Sequence, residues 1–267
     1  MKNLKKEIQK NEVSILGVSE VGWKRQGETR SGNYTVCYSR GEPAENVLAT
    51  VVHKSVVRSV VKKIVYNDRI IAIKLQEEPI NILMMQVCML TSEHEDDEVE
   101  SLYGIIIKIL EEDGKGNTNT IIMGNWNSVV GDEPYRNIVG PHGLGRKNHR
   151  GQMLINFCVR NGLIVTNTWF RKPKRRLFTW KALGDRSREQ LDYILVKHRF
   201  RNSVKDVQTL PVADIDSEHN LLVAKICTSL KKIIRFQIED NNVIWRNYIL
   251  KKKSARCSRR ETRCNWM

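Results

Sequence analysis

Four apolar runs in this chain of 267 residues end in side chains that can donate, accept or carry charge. Ile121-Ile122-Met123-Gly124 breaks into Asn125-Trp126-Asn127. Gln190-Leu191-Asp192-Tyr193-Ile194-Leu195-Val196 lodges an acid among large apolar residues, and Asp216-Ser217-Glu218-His219-Asn220 runs into Leu221-Leu222-Val223-Ala224. Ile15-Leu16-Gly17-Val18-Ser19-Glu20 ends on a carboxylate. Each has a plain structural reading: Asn and Gly make turns, Glu20 a strand-end salt bridge, Asp192 a buried acceptor, His219 a rim imidazole. Polar residues beyond the carboxyl ends of core strands are also where α/β proteins place their chemistry. Four such runs suggest one shared rim, where carboxylate, amide and imidazole groups could meet ions and move protons.

The elements that must position these residues read as a mixture of strands and helices. Residues 4–11 form a short charged helix with Leu4 and Ile8 on one face, leading into a strand over 13–20. Tyr34, Val36 and Tyr38 alternate within 27–41, the pattern of a half-buried strand, and strands continue at 47–52, 69–75 and 80–89. The acidic run 93–100 reads as the solvated start of a helix over 99–110, because carboxylates are favoured near a helix N-terminus. Residues 131–148 make a long loop with His142, and His149 follows; both histidines read as loop residues rather than ligands. A helix over 150–161 carries Met153, Leu154, Phe157 and Cys158 at helical spacing, with Gly162 as its cap, and 163–167 is a strand.

Composition narrows the function. Hydrophobic content of 40% and charged content of 28% are ordinary for a globular protein. A formal charge of +15 is not, and it points to a polyanionic partner. No apolar run approaches membrane-spanning length, and the N-terminus does not read as a signal peptide. The six cysteines lack CxxC spacing, which favours a reduced intracellular chain over a disulfide framework or zinc site.

Read together and in order, several stretches resemble the endonuclease/exonuclease/phosphatase superfamily, and most closely the endonuclease-like domain of long interspersed retroelements. They are Ser19-Glu20 with Trp23-Lys24, Gly124-Asn125-Trp126-Asn127, Asn167-Thr168, Phe178-Thr179-Trp180, Leu191 to Val196, and Ser217-Glu218-His219-Asn220-Leu221-Leu222-Val223. Host proteins of the craniofacial development protein 2-like kind are similar too. The resemblance covers residues 3–229, so the expected organisation is one domain over 1–229 and a basic tail over 230–267. It implies an α/β fold in which two mixed β-sheets pack face to face with helices outside (DNase I-like). The strand that normally opens this fold, ending in an Asn, has no room here before the first helix.

The resemblance also implies roles. Glu20 matches the metal-binding Glu, with Mg²⁺ the expected cofactor and Mn²⁺ its substitute. His219 matches the phosphate-contacting His, Asp192 the acid that orients and charges it, and Asn127 the Asn that positions nucleophile and phosphate. Asn125 stands where the family has the Asp of Gly-Asp-x-Asn, implicated in activating water. An amide cannot usefully accept that proton near neutral pH. Glu218 replaces the usual Asp of Ser-Asp-His, and Cys88 replaces an active-site Tyr; the thiol reads better as a strand-end residue that packs. The absent first Asn, Cys88, Asn125 and Glu218 all fall on one constellation, so weak or absent cleavage is expected.

The basic cluster Arg171, Lys172, Lys174, Arg175 and Arg176, with aromatic Phe178 and Trp180 close behind, suits nucleic-acid contact: cations neutralise phosphates and aromatics stack on bases. A solvated hairpin tip is the alternative. The tail, with Lys251-Lys252-Lys253 and Arg259-Arg260, could be a helix, a nucleic-acid-binding arm or a nuclear-targeting patch. Three readings stand at this point: a Mg²⁺-dependent DNA endonuclease of retroelement type, an inert nucleic-acid-binding module, and a decayed retroelement fragment. DNA is the expected partner, with no membrane involved. The expected location is intracellular, and nuclear if the tail is a targeting patch.

Overall fold

Strict alternation along the central strands gives one sheet two buried faces. The computed structural model describes residues 2–19, 21, 26–39, 47–182, 184, 186–211, 213, 217–228, 243–245 and 251–252. Its largest sheet has six strands: β5 (Val60–Asn67), β6 (Ile70–Leu75), β7 (Asn81–Cys88), β8 (Thr118–Asn125), β12 (Asp192–Lys197) and β9 (Leu163–Val165). They lie side by side in the order β5-β6-β7-β8-β12-β9. β7 and β8 pair in parallel and the other pairings are antiparallel, so the sheet is mixed. Ile73, Leu75, Ile82, Met84, Ile121, Met123, Ile194 and Val196 face one core. Their neighbours Ile70, Ala72, Leu83, Met85, Ile122, Tyr193 and Leu195 face a second.

The second core is closed by α3 (Asp96–Asp113) and α4 (His149–Asn161). Helix α3 starts in a capping box between Glu95 and Glu98, with Asp96, Asp97 and Glu98 in its first turn. The acidic run is therefore the helix start that the sequence suggests. The Asn148 side chain caps α4 at Gly151, and the helix ends at Gly162, whose φ of 61° suits glycine. α1 (Lys2–Lys10) lays Ile8 into the first core.

The first core is closed by two further sheets rather than one. The first is built from β1 (Ile15–Val18), β4 (Ala49–His53), β3 (Tyr34–Tyr38) and β2 (Gly27–Ser31), in that spatial order, with the short helix α2 (Lys54–Val57) following β4. The second is built from β13 (Val204–Leu210), β14 (Leu221–Thr228), β15 (Val243–Trp245) and β16 (Lys251–Lys252), again in that order. A hairpin of β10 (Trp180–Lys181) and β11 (Arg188–Glu189) stands apart. Ile15 and Leu16 share one apolar cluster with Leu222, Ala224 and Ile226, so both sheets cover the same face of the central one.

This is the expected α/β sandwich with its outer layer divided. Both outer sheets are antiparallel throughout, where two mixed sheets were expected. Among the described residues, β1 has β4 as its only strand partner. Two other differences concern local reading. Residues 27–38 form a hairpin of two strands, and β3 is buried along Tyr34-Thr35-Val36-Cys37 instead of half-buried. β5 was not expected, because Lys62-Lys63 interrupts its apolar pattern at the sheet edge. Within the tail, the described residues are the strands β15 and β16.

Candidate active site

Parity and register build the site before any side-chain contact is considered. Residues 82, 84, 121, 123, 194 and 196 face the sandwich interior. Two-residue periodicity then sends Gln86, Cys88, Asn125 and Asp192 to that face, at one end of three adjacent strands. Cys88 pairs with Asn125 across β7 and β8, and Asn125 pairs with Asp192 across β8 and β12. The row Cys88–Asn125–Asp192 is thus laid across the sheet by hydrogen-bond register. Cys88 is 8% exposed and packs with Leu48 and Ile71, the packing role that the sequence favours.

His219 joins the row through Asp192. Its Nδ1 lies 2.9 Å from Asp192 Oδ2, while the imidazole keeps 31% of its side chain exposed and the carboxyl only 6%. A nearly buried acid thus holds one ring nitrogen, and a partly open face is left towards solvent. Backbone contacts fix both partners. The Leu191 and Asp192 amides both donate to Thr179 Oγ1 at 2.9 Å. Asn167 brackets the acid: its Nδ2 donates to the Asp192 carbonyl at 2.8 Å and its Oδ1 accepts from Ile194 N at 3.1 Å. His219 is bridged to Trp180, and Asn220 N donates to the Thr179 carbonyl. Thr179 and Asn167 stand in recognisable stretches, but sequence reasoning gives them no role; their signal is a polar residue inside a buried run.

The loop after β8 is held from behind. Trp126 is 2% exposed, stacks with Tyr103, and donates Nε1 to the Tyr193 carbonyl at 3.1 Å. Tyr193 hydroxyl donates to the Gln190 carbonyl at 2.5 Å and accepts from Val130 N. Burial pushes that phenol far above its ordinary range, so it stays protonated. Gly124 has φ 154°, and a Cβ there would overlap the Val87 carbonyl oxygen, so no side chain fits. Asn125 Oδ1 accepts from Asn127 N at 2.9 Å. Asn127, at φ 46°, donates Nδ2 to the Met89 carbonyl at 2.6 Å. Both amides are therefore tied to backbone at the row's edge.

Other expected members stand differently. Glu218 is exposed, and its carboxylate accepts from Trp180 Nε1 at 3.3 Å instead of joining the row. Glu20, with Trp23 and Lys24, lies outside the described residues. The residue before it, Ser19, accepts from Gln86 Nε2 at 3.3 Å, and Gln86 Oε1 is buried without a partner among the described residues. No three described His, Cys, Asp or Glu residues group as a metal site. The described donors do not by themselves fit a hard divalent cation, because the row's one carboxylate is engaged with His219.

The basic cluster is only partly free. Lys172 Nζ pairs with Asp206 at 2.6 Å, and Arg176 donates to Gln208 at 2.7 Å. Arg171, Lys174 and Arg175 are exposed. Phe178 is 6% exposed with the Arg188 guanidinium over its ring, so it is not a stacking platform for bases; Trp180 remains half-exposed.

With this geometry in view, the chain matches the Endonuclease/Exonuclease/phosphatase family over residues 1–229. It belongs to that family. Two curated family relatives are the craniofacial development protein 2 of Bos taurus and that of Tragulus javanicus, each 37% identical over 231 residues. The match covers 86% of this chain but only 39% and 40% of theirs, so the chain spans about two-fifths of their length. Among solved structures, it is similar to the endonuclease domain of TRAS1, a telomere-specific non-LTR retrotransposon, with TM-score 0.59 and 14% identity over 84% of this chain and 90% of that one. It is also similar to the 3′ phosphatase NExo from Neisseria bound to product DNA hairpin, with TM-score 0.61 and 17% identity over 84% and 93%. The endonuclease/exonuclease/phosphatase fold, DNase I-like, is thus shared across chains of low identity.

Proposed function

We propose that this family member engages nucleic-acid phosphodiesters at the Asp192–His219 pair, and that its capacity to cleave them is strongly reduced. The single observation that supports this most is the row itself: a nearly buried acid, paired across the strands with Asn125, holding a partly open imidazole. An imidazole charged by a carboxylate suits contact with a phosphate oxygen. Asn127 would position that phosphate from the end of β8. Asn125 sits where a base for the attacking water would belong, and an amide supplies none. Loss of such a base lowers rate by about 10²–10⁴. Glu218, turned to Trp180, does not replace it.

DNA is the proposed substrate or ligand, supported by the net charge of +15 and by the NExo likeness bound to a DNA hairpin. Arg171, Lys174, Arg175 and half-exposed Trp180 would carry strand contact, with Lys172 and Arg176 contributing less because they are already partnered. Glu20 would be the carboxylate for Mg²⁺, or Mn²⁺ in its place. A retroelement origin and an intracellular, nuclear setting belong to the same reading. Among the described residues no helix is long and apolar enough to cross a membrane.

The second reading, binding without cleavage, is favoured specifically by the amide at 125. Supercoiled plasmid nicking with and without Mg²⁺, beside salt-dependent DNA binding, tests both. Mg²⁺-dependent nicking that His219→Ala removes supports residual catalysis. Binding with a steep salt slope and no nicking supports the inert module. Absence of DNA affinity at low salt contradicts both.

A further inference from the structure

A cleft of about 670 Å³ opens far from the row, lined by Arg30, Asn33, Tyr34, Lys54, Ser55 and Arg58 among others. Strand register gives its place. Ala49 pairs with Val18, next to Ser19, which Gln86 holds near the candidate active site. His53, at the other end of β4, pairs with Tyr34, and the cleft lies beyond that pair. Four residues of extended chain separate the two ends by roughly 13 Å. The cleft is therefore at the opposite end of the outer sheet.

Its charge is one-sided. Arg30, Lys54 and Arg58 line it and no carboxylate does. Elsewhere on the molecule several cations are matched: Lys62 and Lys74 to Asp113, Lys63 to Glu28, Lys172 to Asp206. Among the described residues, the three cleft cations have no such acid. Three unmatched cations around one concavity repel one another, and an anion would relieve that. The fork of an arginine matches phosphate oxygens in a way that a point charge does not. Asn33 adds a neutral donor group, and Tyr34 adds a phenol that burial keeps protonated. The volume falls within the usual range for small-ligand sites and exceeds what one phosphate fills.

We infer that this cleft is a second anion site, built for a group carrying two or more phosphates and independent of the Asp192–His219 row. Free pyrophosphate-type anions and the backbone of a nucleic-acid strand share that chemistry. Isothermal titration calorimetry of the whole chain separates them, using inorganic pyrophosphate in one series and a single-stranded DNA 20-mer in another. The variants are Arg58→Glu, the double change Arg30→Gln with Lys54→Gln, and His219→Ala as the control at the other site. Circular dichroism confirms that each is folded. The expected result is saturable pyrophosphate binding at the cleft, weakened about tenfold or more by the cleft changes and persisting in His219→Ala, which removes only the share held at the other site. If pyrophosphate does not bind but the cleft changes still weaken DNA binding, the site serves a nucleic-acid strand. If the folded cleft variants bind both probes as the wild type does, the inference is overturned. That outcome leaves the reading of Asp192 and His219 untouched, because the control variant reports on it separately.

Discussion

At Thr179 one hydroxyl oxygen accepts two backbone amides, the partly buried one of Leu191 and the buried one of Asp192. Thr179→Val keeps the shape and removes the acceptor, so two donors are left without their partner. The expected cost is about 1–3 kcal/mol, read by urea denaturation, with a weaker response of DNA binding to His219→Ala in that background. Unchanged stability would mean that Thr179 is not what holds the Asp192 backbone. Gly124→Ala has a harsher expectation, because its Cβ has no space beside Val87 and φ 154° is closed to side chains. Loss of soluble folded protein, or a fall of more than about 3 kcal/mol, is expected from the combined strain and overlap. At this scale much was legible. Asp192 and His219 do meet, and Cys88 packs. The side-chain partners were not legible, because Glu218 turning to Trp180 and Asn125 bonding Asn127 depend on rotamers that no spacing encodes.

Elements are fastened to one another by a few polar contacts outside the cores. Asp113, in the last turn of α3, reaches Lys62 on β5 and Lys74 on β6. Burial raises its pKa, but hydrogen bonds and attraction from the two lysines outweigh that and leave it below the ordinary value. A carboxyl depressed in the folded state contributes stability that is fully present above its unfolded pKa and is lost as pH falls through the folded one. Asp113→Asn should therefore be less stable at pH 7, by about 1 kcal/mol, and should show a shallower acid limb below about pH 4. Equal destabilisation at pH 7 and pH 2 would contradict the linkage. The three longer helices α1, α3 and α4 were readable to within a few residues, since capping and 3.6-residue spacing are local signals, whereas the four-residue α2 was not. β5 and the division of the outer layer were not, because edge strands and sheet closure are decided by partners far away in sequence.

Across the whole molecule, a charge of +15 is spread over surfaces of different availability. Arg171, Lys174 and Arg175 are exposed, whereas Lys172 is matched to Asp206. Replacing the first three with Ala should lower the slope of log affinity against log salt by up to about 0.9 for each phosphate that is no longer neutralised. Lys172→Ala should change it little. A reversed order would move the strand path elsewhere on the surface. The family fold was legible because six stretches occur in family order, and Gly124–Asn127, Leu191–Val196 and Ser217–Val223 lie at or along β8, β12 and β14; ordered matches of that kind constrain topology. The most direct measurement of the central claim is single-turnover nicking of supercoiled DNA in Mg²⁺ by wild type, Asn125→Asp, and Asn125→Asp with His219→Ala. The expected result is a gain of about 10²–10⁴ on restoring the carboxylate, abolished when the imidazole is also removed. No gain from Asn125→Asp in a folded, DNA-binding protein, or a gain that survives removal of His219, would contradict it.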